Sequence, residues 1–148
     1  MTVTIRPLGA ADHDDWIRLW GGYLEFYRHQ LSTEQNALTF ARILDDAVAM
    51  WGAVAVDDGR PVGIVHWLTH SSTWSDAPYC YLEDLFVDPE ARASGVGRAL
   101  IGHVTDWATE HGIPKVYWQT AYDNATARRL YDKVATNEFI VYEVDTER

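Results

Sequence analysis

Cysteine is nearly absent: Cys80 stands alone in 148 residues. No internal disulfide can form, which fits a reducing cytoplasmic setting, and a lone thiol of this kind is expected to be inert and buried. Positive charge is also scarce. Twelve Lys and Arg face 22 Asp and Glu, for a formal charge of −10. The basic residues gather only at Arg92, Arg98 and the pair Arg128–Arg129. Nucleic acid is therefore not an expected partner, whereas excess carboxylate favours cationic ones such as amines. No apolar run reaches the roughly 18 residues that span a bilayer, so no membrane association is expected. Met1 to Ala10 lacks the basic-then-apolar pattern of a signal peptide. The six histidines are scattered, and no His-Glu-x-x-His occurs, so no metal site is expected. Missing too are Gly-x-x-x-x-Gly-Lys-Ser/Thr and Gly-x-Ser-x-Gly, which argues against P-loop nucleotide hydrolysis and serine-hydrolase chemistry.

What is present reads as one domain, residues 1–148, of ordinary globular composition, 47% hydrophobic and 23% charged. Val3–Ile5 reads as a strand. Asp12 to Tyr27 places Trp16, Leu19, Trp20, Tyr23, Leu24 and Tyr27 at helical spacing. Ser32-Thr33-Glu34-Gln35 fits a capping box opening a second helix through Leu44. Trp51–Val56 and Val62–Leu68 read as a hairpin around Asp57-Asp58-Gly59. His70 to Pro78 is polar and reads as a loop, followed by a strand over Tyr79–Val87. A helix is expected over Gly97–Glu110, ended by Gly112 and Pro114, then a strand over Lys115–Thr120. A short helix over Asn124–Lys133 and a last strand over Phe139–Val144 complete the order β-α-α-β-β-β-α-β-α-β. That order predicts an α/β fold with a mixed, largely antiparallel twisted sheet flanked by helices.

The most informative stretch runs from Leu82 to Leu100. An apolar strand ending Leu85-Phe86-Val87 enters a loop with Arg92-x-x-Gly95-x-Gly97, and a helix leaves it. Glycines let backbone N–H groups approach a guest, and a helix N-terminus adds unpaired N–H groups and partial positive charge. Such a cradle suits phosphate oxygens, with Arg92 and Arg98 as charge-assisted partners. A plain strand–loop–helix connection, with glycine for close packing, explains the loop equally well. The third glycine of the dinucleotide fingerprint is missing.

Two blocks together carry a resemblance. Leu85-Phe86-Val87-Asp88-Pro89 followed by Arg92-x-x-Gly95-x-Gly97 resembles the acyl-CoA loop of the GNAT N-acetyltransferases. Val116-Tyr117-Trp118-Gln119-Thr120, then Asn124-x-x-Ala127-x-x-Leu130-Tyr131, resembles that family's later motif. Tyr81-Leu82-Glu83-Asp84-Leu85-Phe86-Val87 is similar to the diamine acetyltransferases. Val116-Tyr117-Trp118 and Leu130-Tyr131-Asp132-Lys133-Val134 are similar to the Hpa-type histone and D-amino-acid acetyltransferases. The chain departs from the family at Ala135-Thr136-Asn137-Glu138-Phe139, where many members have an aromatic-Gly-Phe step. That departure bears on how the terminal strand enters the sheet.

The resemblance implies the GNAT acyl-CoA N-acyltransferase fold, acetyl-CoA as co-substrate, no metal, and direct transfer to a primary amine in a ternary complex. A lysine-like amine has a pKa near 10.4, so roughly one molecule in 2,500 is neutral at pH 7; restoring the neutral form is worth about 4.6 kcal/mol. A proton acceptor therefore helps greatly, and the resemblance puts Glu83 in that role. Asp84 follows it, and neighbours on a strand face opposite sides unless a bulge intervenes. Tyr131 takes the family position of the acid that protonates the leaving thiolate, seven residues after Asn124. Asn124 would cap the helix and bond the pantetheine arm. Leu85, Phe86 and Val87 would offer backbone groups to pantetheine. Arg92, Ala93, Ser94, Gly95, Val96, Gly97, Arg98 and Ala99 would hold the pyrophosphate. Tyr23, Glu25, Tyr27 and Asp84 are the candidate acceptor contacts, since aromatic faces with a carboxylate suit a cation. An ordinary core role explains Tyr23 and Tyr27 at i,i+4 as well. The expected acceptor is a small cationic amine, such as a polyamine or amino acid. Protein lysine or N-terminal acetylation and non-catalytic acyl-CoA binding are the alternatives. Phe139-Ile140-Val141-Tyr142 would form an aggregation-prone edge, and the relatives it resembles pair C-terminal strands across a dimer, so a homodimer is expected.

Overall fold

The apolar runs around Asp58–Gly59 pair as a hairpin, and both turn residues adopt positive φ, 49° and 79°, as the tight turn of a right-twisted hairpin requires. In the computed structural model, which describes residues 3–92 and 94–147, these runs become β2 (Met50–Asp57) and β3 (Arg60–Ser72). β1 (Val3–Pro7) lies antiparallel to β2, and β4 (Ser75–Val87) antiparallel to β3. β5 (Val116–Tyr117) pairs parallel to β4, through Cys80 and Tyr81 alone. The sheet order is β1-β2-β3-β4-β5, mixed and largely antiparallel as expected.

α1 (His13–Phe26) and α2 (Thr33–Leu44) cover one face of this sheet; α3 (Val96–Glu110) covers the other. Adjacent residues on β3 show the division. Ile64 joins Trp16, Leu19, Trp20, Phe40, Ile43 and Phe86 in the core beneath α1 and α2. A Cβ on Gly63 would meet Val96 and Leu100 of α3 instead. Ser32 caps α2 by accepting from the Gln35 amide at 3.0 Å. The reciprocal half of the box is not formed, because the Gln35 side chain donates to Thr39. At the other end of the sheet the Arg6 guanidinium grips buried Asp12 through two bonds of 2.7 and 2.8 Å, and holds its carboxyl below the usual carboxylate range.

Three expectations are corrected. His70 to Pro78 is no loop: β3 continues to Ser72 and β4 begins at Ser75, with His70 paired to Tyr79. The hairpin extends past the core into solvent, so polar residues satisfy it. The strand expected over Lys115–Thr120 shrinks to Val116–Tyr117. No strand forms over Phe139–Val144 among the described residues; Phe139 and Tyr142 are more than four-fifths exposed. Strand-forming side chains do not make a strand without a partner for their backbone. The described chain divides into two compact units, one up to Tyr117 and the other from Trp118 onward. The second holds α4 (Ala125–Val134), which buries none of its residues and is capped by Asn124. Among the described residues no helix is long and apolar enough to cross a membrane.

Candidate active site

The register of β3 against β4 slips once within the apolar stretch. His66 faces Asp84, but Trp67 faces Leu82, leaving Glu83 as the extra residue of a β-bulge. A bulge breaks the strict alternation of side chains and re-aims them. Both carboxylates consequently act on the same neighbour: Asp84 and Glu83 each contribute to raising Tyr23, on α1. This is the condition under which adjacent strand residues can share a site.

Aromatic groups enclose the pair. Burial, then Asp84 by charge and hydrogen bond, keep the Tyr23 phenol firmly protonated. Burial and Asp84 also raise Tyr27. Tyr81 is pushed up to about 12, first by burial and then by Glu83 and Asp84. Tyr23 and Tyr27 stand one turn apart with ring centroids at 4.9 Å, and Tyr81 lies 4.9 Å from Tyr117. Glu83 is among the exposed residues, yet enough protein surrounds its carboxylate to raise its proton affinity. Partial burial is the larger cause and the neighbouring Asp84 charge the second. A charged His66 would oppose that rise. Trp16, however, donates to His66 Nε2 at 2.9 Å, and an indole can only donate, so the imidazole is neutral.

Of the expected acceptor contacts, Tyr23, Tyr27 and Asp84 come together, beside the expected base Glu83. Glu25 does not. Two residues beyond Tyr23, it points elsewhere and lines a hollow of about 330 Å³ with Arg18, Phe26, Phe86 and Arg92. Cys80 is fully buried, and desolvation pushes its thiol up to about 11.

Beyond Tyr81, β4 has no strand along its second edge among the described residues. The strand then enters the glycine loop. Gly95 is the N-cap of α3 at φ 86°, a left-handed conformation suited to glycine. The first helical bond runs from the Ala99 amide to the Gly95 carbonyl at 3.0 Å, so the amides of Val96, Gly97 and Arg98 precede the ladder. No acidic residue occupies this first turn, in contrast to α1 and α2. Ser94 Oγ–H donates to the Ala91 carbonyl and folds the loop back. Val96 is buried, so only its backbone faces the loop, while Arg98 is exposed. Arg92 lies on the α1 side instead. Its Nε–H donates to the Val87 carbonyl at 3.0 Å, and its guanidinium lies 5.5 Å from the Phe86 ring. Ala93 falls outside the described residues.

In the second unit, Asn124 Oδ1 accepts from the Ala127 amide at 3.3 Å, which is the expected cap. Tyr131 is half-buried and meets Trp118 edge to face at 5.5 Å. Sequence reasoning missed His66, Trp16 and Tyr81. His66 carries the one available signal: it is the only imidazole inside the apolar run Val62–Leu68, and a buried polar group needs a partner.

The model of the Acetyltransferase (GNAT) family matches residues 16–135. D-amino-acid N-acetyltransferase HPA3 of Saccharomyces cerevisiae is 38% identical over 135 residues, covering 90% of this chain and 84% of that protein. The thialysine N-epsilon-acetyltransferase of Caenorhabditis elegans is 28% identical over 133 residues, covering 89% and 79%. The solved structure of an aminoglycoside acetyltransferase from an uncultured soil metagenomic sample superposes with a TM-score of 0.81. It covers 99% of this chain and 97% of its own, and at 21% identity it speaks for the fold alone. A sheet that opens beside β4, an acid-free helix start after a glycine loop and a family match running through both are one consistent set: the chain belongs to the Acetyltransferase (GNAT) family and is an acetyl-CoA-dependent N-acetyltransferase.

Proposed function

We propose that the chain transfers acetyl from acetyl-CoA directly to a small cationic primary amine, with the two compact units acting as a single domain over residues 1–148. The observation that carries the acceptor class is the pair Glu83–Asp84 at the bulge, faced by Tyr23, Tyr27 and Tyr81. Two carboxylates and aromatic faces attract an ammonium group. The names of the relatives point the same way, toward D-amino acids and thialysine.

Glu83, with raised proton affinity, takes the proton from the acceptor ammonium, through one water. The freed lone pair attacks the thioester carbonyl, the C–S bond breaks, the Tyr131 phenol protonates the departing thiolate, and the second proton shed by the nitrogen as the amide forms restores that phenol. Asp84 anchors the positive charge. Leu85, Phe86 and Val87 would pair their backbone with pantetheine along the open edge of β4. The amides at the start of α3, with Ser94, Gly95, Gly97 and Arg98, would hold the pyrophosphate; Asn124 would reach the pantetheine arm. An acyl-enzyme on Cys80 is disfavoured, since burial keeps that thiol protonated.

The test is thiol release over a panel of amines. Faster turnover of spermidine and D-lysine than of glycinamide supports the reading. A preference for glycinamide, or for peptide N-termini, would point to another acceptor class, and acetyl-CoA binding without release would indicate a binding module. We further propose a homodimer through Phe139–Tyr142, whose side chains are exposed. Light scattering should give a dimer mass that Ile140→Lys and Tyr142→Lys reduce to a monomer.

A further inference from the structure

Behind the bulge stands a polar series that proton transfer to Glu83 does not use. Trp16 on α1 is 1% exposed and His66 on β3 is 3% exposed. Trp16 Nε1–H donates to His66 Nε2 at 2.9 Å. Because the indole has no acceptor, Nε2 carries the lone pair and the ring proton resides on Nδ1. Nδ1–H then donates to Asp84 Oδ2 at 3.0 Å. Asp84 also acts on Tyr23, whose phenol it helps to keep protonated. The series thus ends on one carboxylate, and the direction of both bonds in it follows from the chemistry of Trp16.

The imidazole has little freedom to turn. Trp16 and Trp20 hold its ring at centroid distances of 6.0 and 5.2 Å. Across the sheet it faces Gly52, where a Cβ would lie 3.3 Å from His66 Cδ2 and only 2.6 Å from Leu8 Cδ1. Protonating Nε2 would set two N–H donors head to head, so this histidine is no proton shuttle. His66–Asp84 is also the last matched pair before the register slips at Glu83.

We infer that His66 is a positioning residue for the acceptor: as a fixed Nδ1–H donor it holds the Asp84 carboxylate in the orientation that receives the acceptor's ammonium. The inference rests on the reading of Glu83–Asp84 as the acceptor end of the site.

Asn and Gln separate the two ring nitrogens. His66→Asn puts an amide N–H near the Nδ1 position and keeps the donor to Asp84. His66→Gln reaches toward Trp16 and leaves Asp84 without that donor. Thiol release is followed with spermidine, D-lysine and glycinamide, and the affinity of each amine is measured by calorimetry in the presence of CoA. The expected result for His66→Gln is an acceptor KM and Kd raised about tenfold, with kcat and the acetyl-CoA KM within about twofold. His66→Asn should stay close to wild type. Nitrogen-15 NMR of the free protein should show the Nδ1–H tautomer. Equal losses in the Asn and Gln variants, a loss confined to kcat, or an Nε2–H tautomer in the wild type would overturn the inference. If the wild type prefers glycinamide, the cationic-acceptor reading falls, while the Asn–Gln split in glycinamide affinity still decides the role of His66. If none of the amines binds or turns over, both fall.

Discussion

Within a few residues the chain passes from a pair of carboxylates on β4 to a helix start that has none. At the bulge, Glu83 and Asp84 stand side by side among phenols, with Asp84 receiving His66. Past Val87 the chain reaches Gly95 and a helix start whose first turn has no acidic residue. Asp84 and Val87 are three residues apart, roughly 10 Å of strand. The overall charge of −10 conceals this local polarity. In the proposed function one strand therefore orders two substrates of opposite charge without any side chain having to serve both. The bulge supplies the first end, and the loop of the helix supplies the second.

The comparison breaks most sharply at the anion end. Gly97→Glu would place a carboxylate among the first amides of α3, against the helix dipole. Acetyl-CoA affinity should fall by roughly a hundredfold, equal to about 2.7 kcal/mol, while circular dichroism stays unchanged and free-amine binding survives. Calorimetry with each ligand separately reads both ends at once. Unaltered acetyl-CoA affinity in the folded variant would remove the loop from the cofactor site.

Asp84→Asn works on the other end, with a smaller effect. It removes an anchor charge, so the KM of a cationic amine should rise about tenfold. It also removes the second cause of the raised Glu83 proton affinity, leaving partial burial. Glu83 must be ionised to accept a proton, so activity falls as pH drops through its pKa. In the wild type that acidic limb should lie above the ordinary glutamate value of about 4.3; in Asp84→Asn it should move lower. A pH series of kcat/KM gives both numbers. The smallest expected effect is salt. Attraction of the amine to exposed charge is screened over about 8–10 Å, so kcat/KM for spermidine should decline modestly with ionic strength, and that for glycinamide less.

Periodicity and turn chemistry made most of the fold legible. Trp16, Leu19, Trp20 and Tyr23 fall on one helical face, and Asp58–Gly59 can do little except turn. Pairing is what local sequence does not state. The extra residue at Glu83 exists only as a mismatch between β3 and β4, and the polar hairpin over His70–Ser75 looks like a loop until its backbone is seen paired. Phe139–Val144 shows the reverse case, strand-forming residues with no strand beside them among the described residues. The site divides in the same way. The candidates Glu83, Asp84, Tyr23 and Tyr27, drawn from motif and spacing, come together in the fold, whereas Glu25 was grouped with them by proximity in sequence and lies on another side of α1. His66 and Trp16 are distant in sequence, and only the fold turns a core histidine and a core tryptophan into a directed pair on Asp84.

The central claim is that Glu83 removes the acceptor's proton, and the pH dependence of kcat for Glu83→Gln tests it most directly. Glutamine keeps the shape of the side chain but cannot take a proton. With spermidine or D-lysine as acceptor, turnover near neutral pH should drop by roughly 10²- to 10⁴-fold, the acidic limb assigned to Glu83 should vanish, and the deficit should narrow at high pH as the amine loses its own proton. Acetyl-CoA affinity should be unchanged. A variant with the wild-type profile, or a deficit constant across all pH, would contradict the assignment.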